Sequence, residues 1–413
     1  MISPQPSTSA FSYAAYRRFW FSNLAMVFAM QFRFIGSGWL VHELTDSPFW
    51  LGVPGLVSAA VTILLTVPGG ALADRIDARR LLVAGRAASG VLHLALAVVT
   101  VTGIVEVWMV IVWAALTGVS AAVTSPAGNA LLPRLIDHAA MPSAVALSSS
   151  IWSGMRIIGP AAAGILIAAI GIGTAFFVTA AGFAISTGLI ASLRLETPPD
   201  AETETEHDGM FAGLDYILRN RIFLATIGLS FFTSIFGRSY VVLLPVFADD
   251  VLQAGVRGFG YLEAAAGVGA LLGTLAITRI KPGRHAGGTM IGAAVLFGCW
   301  VAAFAVSRSL PLSLGLLFAG AFFSAIYLTL GMTTLQLLVP NELRGRVMGV
   351  WSLTWFLSSA GGFVAATAAE FLGAPVSVAL GALAVAGFGI VVFLSFPEIR
   401  HLPSQAELAA ARS

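Results

Sequence analysis

Twelve long apolar runs, separated by short polar turns, dominate this sequence of 413 residues. A helix needs roughly 20 apolar residues to cross a bilayer, because about 30 Å of hydrocarbon is covered at 1.5 Å per residue. Only 10% of the residues are charged and 58% are hydrophobic, whereas a water-soluble domain carries roughly 25% charged residues. The sequence therefore predicts an all-α integral membrane protein with twelve transmembrane helices.

The apolar runs form two groups of six. The predicted spans are 17–41, 50–73, 81–103, 106–128, 143–170 and 172–194, then 221–248, 258–280, 286–307, 310–336, 343–369 and 374–397. The predicted domains are an N-terminal cytoplasmic tail (1–16), a six-helix half (17–194), an acidic cytoplasmic linker (195–220), a second six-helix half (221–397) and a C-terminal cytoplasmic tail (398–413). A weak internal repeat, with the GALA stretch at Gly70 echoed by GTLA at Gly273, supports two parallel halves.

Basic residues gather on alternate connections. Those that lie on or flank the connections 2–3, 4–5, 8–9 and 10–11 are Arg75, Arg79, Arg80, Arg86, Arg134, Arg279, Lys281, Arg284, Arg344 and Arg346. Connections that are rich in arginine and lysine stay on the cytoplasmic side. Both termini are therefore predicted to be cytoplasmic.

The connection between spans 2 and 3 carries the motif GALADRIDARR, which runs from Gly70 to Arg80. It resembles the signature loop of the major facilitator superfamily. In physical terms, Gly70 would allow two helices to approach closely, and Asp74 would accept hydrogen bonds at a neighbouring helix N-terminus. Arg75, Arg79 and Arg80 would hold the loop on the cytoplasmic side.

Other stretches resemble the drug and siderophore exporter branch of this superfamily, such as bacterial enterobactin exporters and macrolide efflux proteins. They are Ser125 to Pro133, Ala144 to Ser150 and Leu338 to Met348. In the fifth span, a glycine-proline pattern partly resembles the antiporter signature of exporters: Gly154, Gly159, Pro160 and Gly164. A kink with tight helix packing explains the same residues and is compatible with that role.

The resemblance implies the major facilitator fold, in a multi-pass transporter of the bacterial cytoplasmic (inner) membrane. It implies a monomer without cofactors, surrounded by lipid, that exports small amphipathic molecules of the multidrug or siderophore type by alternating access. Proton antiport is a hypothesis only, because residues 105–123 of the fourth span lack the arginine that many proton-coupled members carry. The alternatives are an uptake permease or lipid transporter of the same fold, and a non-transporting membrane receptor.

Ionisable side chains within spans are costly in lipid and are therefore candidate functional residues. Glu263 is the one carboxylate predicted well inside a span, and it is expected to pair with Arg238 as a gate or proton-sensitive latch, or as a purely structural ion pair. The fold that the sequence resembles has its cavity along spans 1, 4, 7 and 10, with span 5 close behind. The expected lining is Gln31, Arg33, Arg156, Arg238, Tyr240, Tyr327 and Gln336.

Several functions are not predicted. No group of His, Cys, Asp and Glu has metal-ligand spacing, and neither a phosphate loop nor a nucleophile elbow occurs, so neither a metal site nor an enzyme is expected. A formal net charge of +2 gives no sign of a nucleic-acid partner. His93 stands alone among apolar neighbours in the third span and is expected to be packed and hydrogen-bonded.

Overall fold

The structure is a computed structural model that describes residues 9–193, 212–280 and 285–400. The acidic run of the predicted linker and the end of the C-terminal tail lie outside these residues. The side chains of a few further residues inside helices, including Asp74 and Arg75, are also not described. Twelve helices in the described part of the chain are long and apolar enough to cross a membrane, which confirms the predicted all-α fold.

Eleven of the twelve spans are single helices. Spans 1 to 6 are Ala14–Thr45, Pro48–Arg75, Ala78–Val101, Val107–Leu131, Met141–Ile170 and Gly173–Ala191. Spans 8 to 12 are Gly255–Ile280, Ala286–Val306, Leu310–Leu338, Asn341–Leu372 and Ala374–Ser395. Short 3₁₀ helices (Ala10–Ser12, Leu132–Arg134, His138–Ala140) and short α-helices (Ala212–Arg219, Pro397–Arg400) flank the spans.

Span 7 is a composite of α-helical and π-helical turns. It consists of the α-helix Arg221–Phe232, the π turn Thr233–Gly237, the α-helix Tyr240–Val246 and the π turn Phe247–Val251. The backbone N–H of Arg238 closes the first π turn on the Thr233 carbonyl at 3.1 Å. Such turns often occur at functional sites, and the hydropathy pattern of the sequence gave no sign of them.

Local residue chemistry explains where several spans begin and end. Asp77 caps the N-terminus of span 3, because its carboxylate accepts a hydrogen bond from the Arg80 backbone N–H at 2.9 Å. Spans 5 and 11 end at Gly171 (φ 108°) and Gly373 (φ 81°), in a backbone region that glycine adopts without steric cost. A capping aspartate and two glycines in the connections between the apolar runs thus set these helix boundaries.

The chain divides into two compact units. The first comprises Met1–Asp46, Val53–Ala201 and Gly255–Ala264, and the second comprises Ser47–Gly52, Glu202–Ala254 and Ala265–Ser413. In the first unit, span 3 packs against spans 4 and 6, and span 1 packs against spans 5 and 6. In the second unit, span 9 packs against spans 10 and 12, and span 7 packs against spans 11 and 12. Each unit therefore has the same pattern of neighbours, as a parallel repeat requires.

Both units also use glycine to bring helix backbones together. A Cβ atom on Gly69 of span 2 would lie 2.7 Å from a carbonyl oxygen of span 4, and one on Gly118 of span 4 would lie 2.7 Å from a carbonyl oxygen of span 2. In the second unit, Gly269 and Gly273 of span 8 lie against carbonyl oxygens of span 10 in the same way. Small residues at such crossings allow close helix packing in lipid.

Candidate functional site

A cavity of about 440 Å³ lies inside the first unit, lined by spans 1, 3, 4, 5 and 6. It extends from Phe19, near the beginning of span 1, to Arg33, roughly 21 Å further along that helix at 1.5 Å per residue. Half of its lining residues are polar, although most of the surface that the lining exposes to the cavity is apolar; the polar residues are Asn23, Arg33, Arg86, Ser89, His93, Thr117, Ser120, Thr124, Ser125, Asn129 and Ser148. The apolar half of the lining includes the rings of Trp152 and Phe183.

Arg86 is buried at the side of this cavity, with 4% of its surface exposed. Its Nη1 atom donates to the Ser22 hydroxyl at 2.5 Å and to the Ser186 hydroxyl, and its Nη2 atom donates to the Asn23 side-chain oxygen at 2.7 Å. These partners come from spans 1 and 6 and are all neutral. Arg86 therefore joins three spans by hydrogen bonds that leave its positive charge uncompensated.

His93 is packed and hydrogen-bonded, as expected. Its ring stacks on Phe183 at 5.1 Å and meets Trp113 edge-on at 5.4 Å between centroids. The Nδ1 atom lies 2.5 Å from the Ser89 carbonyl oxygen, which only accepts, so Nδ1 carries the hydrogen. The Nε2 atom of the neutral ring is then a hydrogen-bond acceptor, and it has no partner among the described residues.

Arg33 supplies the second cation of the cavity. It is half-buried, and its Cζ atom lies 5.9 Å from the centre of the Trp113 ring, at the outer limit of a cation–π contact. Its Nε atom has no hydrogen-bond partner in the described part of the chain. Since Trp113 contacts both Arg33 and His93, the three side chains form one cluster, which we call the Trp113 cluster.

The electrostatics of the cavity follow from its composition. Arg33 and Arg86 are permanently charged, and none of the described lining residues is an aspartate or a glutamate. A buried cation without a counter-ion is costly in a low-dielectric region. Hydroxyl and amide groups offset part of that cost. The cavity is therefore suited to a ligand that brings acidic or acceptor-rich oxygen atoms.

Of the expected cavity residues, the structure places Arg33 in this lining. Gln31 packs against the fifth span, where a Cβ atom on Gly159 would lie 2.5 Å from its Cγ atom. Arg156 is half-buried in span 5 and is not among the described lining residues. The roles of Gln31 and Arg156 in substrate binding stay predictions.

The other expected cavity residues belong to the second unit. Tyr327 (1% exposed) stacks against a phenylalanine of span 9 at 6.3 Å, and Tyr240 (6% exposed) meets another edge-on at 6.3 Å. Gln336 is exposed near the end of span 10, and Arg238 is half-buried directly after the first π turn of span 7. Glu263 is buried in the first unit at 8% exposure. Its pairing with Arg238 stays a prediction.

The signature loop has a structural role at the end of span 6. Arg79 donates from Nε to the Ile190 carbonyl at 3.2 Å and from Nη2 to the Ala191 carbonyl. A cation at this position satisfies the last carbonyls of the helix and complements its dipole. Arg80 is exposed, and the side chains of Asp74 and Arg75 lie outside the described residues.

The close helix approach that was expected at Gly70 occurs one residue earlier. A Cβ atom on Gly70 would meet nothing within 4 Å in the described structure, whereas one on Gly69 would lie 2.7 Å from a backbone oxygen of span 4. The helical turn directs Gly69 rather than Gly70 towards that neighbour. The physical role assigned to Gly70 is thus corrected.

The glycine-proline pattern of span 5 contacts two other helices of the first unit. Gly159 faces Gln31 of span 1, and a Cβ atom on Gly164 would lie 2.7 Å from the Val256 carbonyl oxygen at the start of span 8. A Cβ atom on Gly154 would meet nothing within 4 Å of it in the described residues. Tight packing accounts for Gly159 and Gly164, and an antiporter role for this pattern stays a prediction.

Outside the spans, a tyrosine–carboxylate contact joins the beginning of span 1 to the connection between spans 4 and 5. The Tyr13 hydroxyl donates to Asp137 Oδ2 at 2.6 Å. This hydrogen bond raises the pKa of Tyr13 above its usual value of 10.0. Tyr13 therefore stays a neutral donor at physiological pH.

Arg86 is the site residue that the sequence interpretation missed. The prediction counted it among the arginines that flank the 2–3 connection, because arginines cluster there, whereas the structure places its side chain in the lining of the cavity. Arg86, Ser89 and His93 follow the spacing i, i+3 and i+7, so they share one face of the helix. That polar stripe in an apolar helix is the signal that could have found the site.

Comparison with known families identifies this architecture. Residues 6–411 match a major facilitator family described as the transmembrane secretion effector. The chain belongs to this family. Members of this superfamily are transporters, so this protein is a multi-pass membrane transporter and not an enzyme.

Named relatives of this chain include siderophore and drug transporters. It is 28% identical over 250 residues to a staphyloferrin A transporter of Staphylococcus aureus, covering 60% of this chain and 62% of that one, which is less than two thirds of its length. It is 23% identical to the enterobactin exporter EntS of Escherichia coli, covering 87% and 86%. It is 26% identical to the multidrug efflux pump Tap of Mycolicibacterium fortuitum, covering 88% and 91%.

Solved structures share the fold. The nucleoside transporter NupG superposes with a TM-score of 0.70 at 12% identity, covering 94% of this chain and 99% of that chain. A bacterial homologue of the lysosomal transporter Spinster superposes with a TM-score of 0.67 at 14% identity, covering 94% and 99%. At these identities the likeness shows the fold of this protein and nothing about its substrate.

Proposed function

We propose that this protein is a secondary active exporter of the bacterial inner membrane that moves small amphipathic molecules of the drug or siderophore type outwards. It works by alternating access as a monomer and is coupled to the proton gradient. The observation that carries this proposal is the cavity of the first unit. Its volume of about 440 Å³ and its mixed polar and aromatic lining fit a small amphipathic molecule.

The position of the cavity supports a cytoplasmic entry route. It begins beside Phe19 and Asn129, at the end of the unit where span 1 begins and span 4 ends. The positive-inside rule assigns this end to the cytoplasm. A substrate collected at that end and released at the other moves outwards, and the names of the enterobactin exporter and the multidrug efflux pump agree with that direction.

Proton coupling would need a group that binds and releases a proton during the cycle. His93 in the Trp113 cluster and buried Glu263 are ionisable side chains within spans of the first unit. His93 lines the cavity, so a bound substrate would change its electrostatic surroundings directly. Glu263 would act at a distance from the substrate, as a latch.

An accumulation assay tests export and its energy source together. Cells that express the protein are loaded with a labelled anionic siderophore or with a fluorescent cationic dye, with and without a protonophore. We expect lower accumulation of the siderophore than in cells with the empty vector, and we expect the protonophore to abolish the difference. The Arg33→Gln variant should lose this export, whereas Arg134→Gln, which removes an exposed arginine of the 4–5 connection, should keep it.

Each other outcome points to a different function. Higher accumulation that depends on an inward gradient would mean an uptake permease and would contradict export. Lipid movement between leaflets without siderophore export would mean a lipid transporter, and a signalling response without any flux would mean a receptor. Unchanged accumulation of both compounds, with the protein detected in the membrane, would refute broad efflux.

A further inference from the structure

The Trp113 cluster presents two kinds of hydrogen-bonding group to the same cavity. Arg33 offers only donors, because a guanidinium has five N–H groups and no acceptor. The Nε2 atom of neutral His93 offers only an acceptor, because Nδ1 holds the ring hydrogen against the Ser89 carbonyl. Neither Arg33 Nε nor His93 Nε2 has a partner among the described residues.

A ligand that binds both groups must provide a hydrogen-bond acceptor to one and a hydrogen-bond donor to the other. The guanidinium of Arg33 favours an anionic oxygen, since charge-assisted hydrogen bonds are about twice as strong as neutral ones. The lone pair of His93 Nε2 requires a donor, which a simple carboxylate does not have. Both side chains lie against Trp113, at 5.9 Å from its ring centre for Arg33 Cζ and 5.4 Å between centroids for His93, so one end of a ligand can supply both the anionic oxygen and the donor.

The other lining residues of the cavity also suit an anionic ligand with hydroxyl groups. Arg86 adds a second fixed positive charge, and the hydroxyls of Ser120 and Thr124 add groups that both donate and accept. Trp152 and Phe183 supply flat apolar surfaces for a ring or an alkyl segment. A cation would meet two arginines and, in the described lining, no compensating carboxylate.

We propose that this cavity binds the acidic end of an anionic ligand that carries a hydroxyl group beside its carboxylate or phenolate oxygen. Arg33 holds the anionic oxygen, and His93 Nε2 accepts a hydrogen bond from the neighbouring hydroxyl. This inference rests on the proposed transport function, because it specifies the substrate class of the same cavity. His93 is thus a specificity-determining residue, and Arg33 supplies the affinity for the anion.

Three phenyl compounds of similar size separate these contributions in the purified full-length protein. Mandelate has a carboxylate and an adjacent hydroxyl, phenylacetate has the carboxylate alone, and phenethylamine is a cation. Binding is followed by tryptophan fluorescence and by calorimetry at neutral pH. We expect mandelate to bind about tenfold more tightly than phenylacetate, because the latter leaves a buried acceptor unpaired. Phenethylamine should not bind.

Two variants with matched controls test which residue provides the affinity for the acid and which provides the preference for the adjacent hydroxyl. Arg33→Gln should weaken the binding of both acids at least about tenfold, whereas Arg134→Gln should not. His93→Phe keeps an aromatic ring against Phe183 but removes both nitrogens. It should bring the affinity for mandelate down to that for phenylacetate and leave phenylacetate unchanged. His138→Phe, at an exposed histidine of the 4–5 connection, should keep the preference for mandelate.

The wild-type protein alone is sufficient to overturn the proposal, so folding of the variants is not required. Equal affinity for mandelate and phenylacetate, or binding of phenethylamine as tight as that of mandelate, would contradict it. Export of siderophore without the mandelate preference would refute this substrate class and leave the transport function standing. The mandelate preference without any export would support the site and refute the transport function.

Discussion

Span 3 of the first unit and span 9 of the second occupy equivalent places in their units. Span 3 carries charged side chains, whereas span 9 is apolar. Each packs against the fourth and sixth helices of its own unit. Span 3 carries Arg79, Arg80, Arg86 and His93, whereas the sequence of span 9 contains no ionisable residue except Cys299. Where span 3 contributes a buried arginine and a histidine to a cavity, span 9 buries the rings of Phe297 and Phe304.

The two units therefore share a framework and differ in their interior. Glycine contacts between the second and fourth helices occur in both, at Gly69 and Gly118 and again at Gly269 and Gly273. Helix packing requires these contacts whatever the substrate is. Charged side chains inside a span are costly and are retained where they bind something. The difference supports the proposed ligand site in the first unit, whereas this part of the second unit has a packed, aromatic interior.

The largest expected effect is a loss of protein from the membrane when an arginine, as found in span 3, is introduced into span 9. Phe297→Arg would place a cation among buried aromatic rings, which costs roughly 3 kcal/mol or more in a membrane helix. We expect the variant to be almost absent from the membrane fraction in quantitative immunoblots, whereas Phe297→Leu should cost only about 1 kcal/mol and accumulate. Normal accumulation of Phe297→Arg would show that the interior of the second unit tolerates charge as the first does.

A smaller effect, on export and on stability, is expected when the buried arginine of span 3 is replaced by an apolar residue like those of span 9. Arg86→Leu removes the hydrogen bonds to spans 1 and 6, while Ser22 and Ser186 still bond to each other. We expect export to fall at least about tenfold and the free energy of unfolding to fall by about 1–3 kcal/mol. Efflux normalised to protein amount and thermal unfolding of the purified protein measure the two effects.

The control for this prediction is another arginine that the cavity does not use. Arg134→Leu, in the exposed 4–5 connection, should leave efflux and thermal unfolding close to wild type. Unchanged efflux by Arg86→Leu would mean that the charge of span 3 has no part in substrate recognition. The difference in interior between the two units would then be unrelated to transport.

The shared framework predicts a loss of stability in both units, and a larger loss at Gly273, whose added methyl group would lie closer to a carbonyl oxygen than that of Gly69. Gly69→Ala and Gly273→Ala each place a methyl group against a carbonyl oxygen, so each should lower the free energy of unfolding, by about 2 kcal/mol for Gly69→Ala and by more for Gly273→Ala. Gly70→Ala, one residue away, adds a methyl group that meets none of the described residues within 4 Å, so it should be neutral or stabilising by up to about 1 kcal/mol through helix propensity. Thermal unfolding in detergent compares the three, and a loss at one of the two packed glycines only would show that the frameworks differ.

The smallest expected effect is on stability, from the loss of the N-cap at the beginning of span 3. Asp77→Ala removes the N-cap that accepts the Arg80 N–H, which costs about 1 kcal/mol, whereas Asp77→Asn keeps an oxygen acceptor and most of the stability. Thermal unfolding measures the difference. Equal stability of the two variants would mean that packing alone fixes the start of this span.

The fold was predictable because lipid imposes a simple rule on the sequence. Twelve apolar runs long enough to cross a bilayer and a signature between spans 2 and 3 were sufficient for the span count and the superfamily. Helix rotation was not predictable from hydropathy, because many spans are apolar around their whole circumference. This is why the close approach was assigned to Gly70 instead of Gly69.

The site was only partly predictable. Arg33 was found because an arginine in the middle of an apolar run is conspicuous, and His93 was correctly expected to be packed. Arg86 lies seven residues after Arg79, close enough to the arginine cluster of the connection to be counted with it. The π turns of span 7 have no compositional mark, since they depend on one extra residue per turn rather than on residue type.

The basic lining of the cavity also determines how such a transporter would use the membrane voltage. An anion that leaves a cell with a negative interior gains about 2.3 kcal/mol per charge at 100 mV. If one proton enters as a monoanion leaves, two charges move in the favourable electrical sense, worth about 4.6 kcal/mol at that voltage. A monovalent cation exchanged for one proton would gain nothing from the voltage. The described lining has two arginines and no acidic residue, and the anionic cargo proposed for it is the one that the voltage itself expels.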